Sequence, residues 1–114
     1  MRDGIYQVVY AGVSSAALGV FVVRNGAFSG VGQMGAEYHG SVRLEPPRNL
    51  YIFEGQATFP PNTPTVTGYV TSDGRMTLPI KGELSNPEPS TCFSLTFAGR
   101  SVAVAINYVC PIPG

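Results

Sequence analysis

Along most of the chain, apolar and polar positions alternate with a period of two, the spacing of a strand buried on one face. In Ala36–Leu44, Tyr38, Gly40, Val42 and Leu44 oppose Glu37, His39, Ser41 and Arg43. Arg75–Leu84 sets Met76, Leu78, Ile80, Gly82 and Leu84 against Thr77, Pro79, Lys81 and Glu83. Leu50–Phe59 places Tyr51, Phe53, Ala57 and Phe59 opposite Glu54 and Gln56. Near the end of the chain, Phe93, Leu95 and Phe97 alternate with Cys92, Ser94 and Thr96, and then Val102, Val104, Ile106 and Tyr108 alternate with small or polar residues. No segment repeats with the 3.6-residue period of a helix. The pattern predicts an all-β protein.

Turn signals divide these segments. Asn25-Gly26 predicts a type I′ hairpin joining Gly19–Arg24 to Ala27–Val31, because both central positions of that turn need positive φ. Asp73-Gly74 carries the same signal and predicts a hairpin between Thr65–Ser72 and Arg75–Leu84. A small-residue turn at Gly12–Ser15 joins Ile5–Tyr10 to Leu18–Val23, and proline-rich joints stand at Pro46-Pro47, Phe59–Pro64 and Asn86–Pro89. For the last two segments to face one core, the hairpin around Ala98–Ser101 needs a two- or four-residue loop, since a one-residue slip exchanges faces. Pro79, without an amide hydrogen, belongs at an edge, a bulge or a non-bonded position. The count is eight or nine strands, arranged as a closed barrel or a sandwich. Residues 1–110 form the expected single domain and 111–114 a tail.

Two strands, Ile5–Tyr10 and Val20–Val23, are apolar on both faces. Such strands fit an internal cavity with a covered exterior, a subunit interface, or cover by another part of the chain. Val20 and Val22 are the dimer-interface candidates.

Composition narrows the function. At 114 residues the chain is one domain with enough length for its own core. Seven basic against seven acidic residues leave no excess to neutralise a phosphate backbone, so nucleic acid is not an expected partner. The uncharged stretch Ile5–Val23 is interrupted by Gln7, Gly12, Ser14, Ser15 and Gly19, which speaks against a membrane span. Cys92 and Cys110 fall out of register with each other, and two free thiols fit a cytoplasmic protein.

Candidate chemistry is sparse. Gly30–Gly35 matches G-x-G-x-x-G, but dinucleotide binding requires that motif to open a helix in a parallel unit, and a strand follows it here. His39 is the only histidine, with no metal-ligand spacing around it and no nucleophile elbow in the chain. Glu37, Glu45, Glu54, Glu83 and Glu88 are dispersed. No catalytic residue, metal or cofactor is assigned. Tyrosines stand out instead, each a large apolar ring with a polar tip suited to a pocket wall or an interface. Face alternation places Tyr6, Val8, Tyr10, Tyr38, Val42, Tyr69 and Phe93 toward the interior, as candidates to line a ligand cavity.

The order Met1-Arg2-Asp3-Gly4-Ile5-Tyr6, a strand ending in Asn25-Gly26, the glycine-rich Ser29–Gly35 and then Tyr38-His39-Gly40 resembles the GrlR-like family. That family is named for the negative regulator of the enterocyte-effacement type III secretion locus of bacteria. The resemblance covers residues 1–42, with only the strand pattern agreeing beyond. It implies a lipocalin-like eight-stranded barrel, a homodimer, an apolar cavity, and a non-enzymatic role in which the founding regulator binds and inhibits a transcription activator. The founding member's acidic Glu-Asp-Glu-Asp loop is not matched, because Leu44-Glu45-Pro46-Pro47-Arg48-Asn49 stands in its place. The expected function is therefore a cytoplasmic binding protein that regulates through protein contact; the alternative is a carrier or sensor of a small apolar ligand.

Overall fold

The alternating segments become strands in a computed structural model that describes residues 1–13, 15–65, 70–85, 90–97 and 99–113, with only the backbone at 90 and 97. In chain order they are β1 (Gly4–Ala11), β2 (Ala16–Arg24), β3 (Ala27–Gly32), β4 (Glu37–Glu45), β5 (Leu50–Phe59), β6 (Met76–Leu84), β7 (Ser90–Phe97) and β8 (Arg100–Cys110). Each pairs antiparallel with the next, and β8 returns to pair with β1. The protein is a closed eight-stranded antiparallel barrel, lipocalin-like in form. Closure leaves no unpaired sheet edge at the ends of the chain.

Local chemistry fixes the hairpins. Asn25 and Gly26 have φ of 52° and 78°, the left-handed pair a type I′ turn demands, and Arg24 faces Ala27 across it. The last hairpin pairs Phe97 with Arg100, leaving the two-residue loop that keeps both apolar sets inside. Gly99 supplies its positive φ of 73°.

The hairpin expected at Asp73-Gly74 does not form. Neither residue takes the positive φ of a type I′ turn. Instead β5 pairs directly with β6, from Tyr51 opposite Leu84 to Phe59 opposite Met76, so residues 60–75 become a long connection. Pro60, Pro61 and Pro64 donate no amide hydrogens there, which disfavours a ladder. Among the connection's described residues, Pro64 and Val70 form an antiparallel bridge. Thr71, 2% exposed, holds it: its hydroxyl donates to the Pro60 carbonyl and accepts from the Thr63 amide, both at 2.7 Å. Arg75 adds an ion pair to Glu37 at 3.0 Å. Pro79 faces Gln56 on one side and lies just beyond the β6–β7 ladder, which runs only from Ile80 to Gly82, on the other.

One end of the barrel carries the start of β1, the end of β8 and the β2–β3, β4–β5 and β6–β7 connections. The opposite end carries the β1–β2, β3–β4, β5–β6 and β7–β8 connections. The cross-strand pair Gly40–Gly55 draws β4 and β5 together, for a Cβ on Gly40 would lie 2.1 Å from the Glu54 carbonyl oxygen.

Candidate functional site

A cluster of phenylalanine rings packs inside the barrel among smaller aliphatic side chains. Phe28 and Phe53 have ring centroids 4.5 Å apart, Phe21 stacks on Phe28 at 5.5 Å, and Phe93 approaches Phe53 at 6.1 Å. Inward glycines make the room: a Cβ on Gly30 would meet the Phe21 ring at 2.2 Å, and one on Gly82 would meet Leu95 at 2.6 Å. What remains is an apolar cavity of about 60 Å³ at the end where the β5–β6 connection begins, with Met34, Pro64 and Thr65 in its lining.

Of the residues expected around a cavity, Val8, Tyr10, Tyr38 and Phe93 line it. Tyr6 and Val42 are buried as expected but sit toward the other end of the barrel, away from the cavity. Tyr69 lies outside the described residues. Phe21, Phe53, Phe59, Val104 and Ile106 are among the further lining residues and share the inward parity of their neighbours, the signal that could have found them.

The cavity's polar atoms come mainly from one pair. The Tyr38 hydroxyl donates to the Tyr10 hydroxyl at 3.0 Å, with both rings leaning over Gly32, where a Cβ would lie 2.3 Å from the Tyr10 oxygen. Burial raises the Tyr10 pKa, the hydrogen bond from Tyr38 opposing it; Tyr38 is pushed well above the usual phenol range, first by burial and then by Tyr10. Both phenols are neutral at physiological pH, and among the described residues no charged side chain lines the cavity.

The N-terminal motif closes the other end. Tyr6 donates to the Arg2 carbonyl at 2.6 Å, the Arg2 guanidinium lies 4.3 Å from the Tyr108 ring centroid, and Asp3 accepts from the Asn25 amide at 3.0 Å. Gly4 admits Tyr108, whose ring would stand 2.4 Å from a Cβ there. Arg-Asp-Gly-x-Tyr is thus accounted for as a structural plug.

No protein-family model and no curated protein matches the chain in sequence.

The outer surface is sharply divided. On the outward faces of β8, β1, β2 and β3 stand Ile5, Val9, Leu18, Val20, Val22 and Val31, with alanines from β8 beside them and with Gln7, Ser29 and Asn107 as polar members of the same face. Leu18 and Val20 are each nearly half exposed, at 47% and 46%, and Val31 and Val109 more so, at 57%. The only charged side chains of these four strands, Arg24 and Arg100, lie at strand ends. The opposite wall of β4, β5 and β6 carries Glu37, Arg43, Glu54, Lys81 and Glu83. Arg43 and Lys81 both approach Glu54, and Arg48 of the β4–β5 connection pairs with Glu45 and Glu83. Glu45, held by the Arg48 hydrogen bond and by nearby cations, titrates below the usual carboxylate range. The β4–β5 loop is therefore internally neutralised.

The remaining sequence features resolve simply. Gly30–Gly35 ends β3 and forms the tight turn into β4, with the Gly32 amide bonded to the Ala36 carbonyl, so no helix N-terminus faces a phosphate. His39 is exposed on β4 opposite Gln56 and Ser29. Cys92 is exposed opposite Ala105, five positions from Cys110 along β8 and so roughly 17 Å away at strand spacing.

Proposed function

We propose that this chain is a GrlR-like, non-enzymatic cytoplasmic binding protein, a homodimer that regulates through protein contact with its barrel as a packed scaffold. The observation that carries this reading is the uncharged, largely apolar wall of β8, β1, β2 and β3. Four strands at ~4.8 Å spacing and about seven residues at ~3.3 Å give a wall of roughly 450 Å² in projection. A patch of that size is at the scale where apolar surface on a monomer marks an interaction site. The wall is uncharged throughout, its apolar residues interrupted only by the neutral side chains of Gln7, Ser29, Ser101 and Asn107; no described segment covers it, and a second copy offers the same uncharged surface, as a two-fold interface requires. A transcription activator, the partner class of the family's founder, would be bound by the assembled dimer. Because the β4–β5 loop is self-neutralised, that contact would differ from one made by an acidic loop.

Methyl NMR across a dilution series tests the wall. Leu18, Val20 and Val31 methyls should shift with concentration, whereas Leu44, 48% exposed at the end of β4, should not. Concentration-independent shifts at all four would remove the wall from the reading.

A second reading, the barrel as carrier or sensor, is favoured by the cavity of about 60 Å³ and its tyrosine pair. That volume is well below the several hundred Å³ of sites that enclose a drug-sized ligand.

A further inference from the structure

Resting on the second reading, the cavity's chemistry specifies what it would take. A water needs on the order of 10–15 Å³ of such space, so about 60 Å³ holds roughly four to six heavy atoms. Water itself suits the site poorly, since a buried water needs two to four polar partners and most of this wall is Val, Ile, Ala and Phe. A carboxylate or ammonium would be desolvated with no opposite charge to meet it. One polar handle remains. Tyr38 spends its proton on Tyr10, and no acceptor among the described residues takes the Tyr10 proton. The hydroxyl sits where Gly32 presents no side chain, in a lining shared with Pro64 and Thr65.

We infer that this end of the barrel binds a short, uncharged aliphatic carbonyl compound, its apolar body in the cavity and its oxygen accepting the Tyr10 proton. The tyrosine pair works as a relay: Tyr38 polarises Tyr10 by donating to it, which strengthens the bond Tyr10 makes onward. Met34 and the residue 60–65 segment, tied down by Thr71, would then set the size limit.

Cyclopentanone and cyclopentane, nearly equal in size and differing by one acceptor, are the probes. Binding to the intact protein is read from NMR shifts of the Ala17, Val104 and Ile106 methyls. The wild type should bind cyclopentanone about five- to tenfold more tightly than cyclopentane, the worth of one hydrogen bond. Tyr38→Phe leaves the Tyr10 proton in place and should keep most of that preference. The double variant Tyr10→Phe with Tyr38→Phe should lose it while still binding cyclopentane. Equal binding of both probes by the wild type would overturn the carbonyl assignment and leave the carrier reading standing. Failure of both probes to shift the methyls at saturation would overturn the assignment and the carrier reading together. Should the double variant not fold, the wild-type ratio alone decides.

Discussion

Phe53→Ala should lower the stability of the barrel by about 3–5 kcal/mol, the cost of deleting a buried aromatic ring and leaving a void. Phe53 is 1% exposed and lies within reach of Phe21, Phe28 and Phe93, so its removal loosens rings from three other strands at once. A domain of this size has on the order of 5–15 kcal/mol in total, so the variant would stand near the edge of folding. At roughly 4 °C per kcal/mol, the thermal midpoint should fall by about 12–20 °C. Phe53→Leu keeps most of the apolar volume and should cost less than about 2 kcal/mol. Urea titration with an unchanged slope is the measurement. A loss under about 1 kcal/mol for Phe53→Ala would mean that the interior is not packed around this ring.

The second large effect concerns association. Val20→Glu should leave the barrel folded, with unchanged circular dichroism and thermal midpoint at low concentration, because this side chain is 46% exposed and points outward. The dimer should weaken by at least about 100-fold, since a carboxylate enclosed in an apolar interface without a cation costs about 3 kcal/mol or more. Two-fold symmetry places the change in both copies. Sedimentation velocity across a concentration series reads the outcome, and an unchanged dimer would move the interface off this wall.

Much of the fold could be read from the chain because the barrel is built from local rules. Alternation in β4, β6, β7 and β8 identified the inward faces, and Asn25-Gly26 identified a turn, since each depends on a few adjacent residues. Asp73-Gly74 misled because its signal is equally local while the partner of β6 is chosen by the ladder with β5, well beyond the turn. The site was less legible. Alternation says which face a residue takes and nothing about its depth along the barrel, so Tyr6 and Val42 were placed at a cavity that lies toward the other end. The phenylalanine cluster was hidden for a related reason. It depends on Gly30 and Gly82 ceding space to rings on neighbouring strands, a match between strands that no single segment displays. The opening motif suggested a likeness, yet its residues brace Tyr108 and the β2–β3 turn, so they bear on the fold and leave the partner open.

Native mass spectrometry of the protein released gently from its expressing cells reads subunit number and bound mass together. A packed barrel that works through its outer wall should appear as a bare dimer at twice the chain mass. A bare monomer at all accessible concentrations would contradict the pairing of the walls, and a dimer retaining several hundred daltons of ligand would contradict the packed interior.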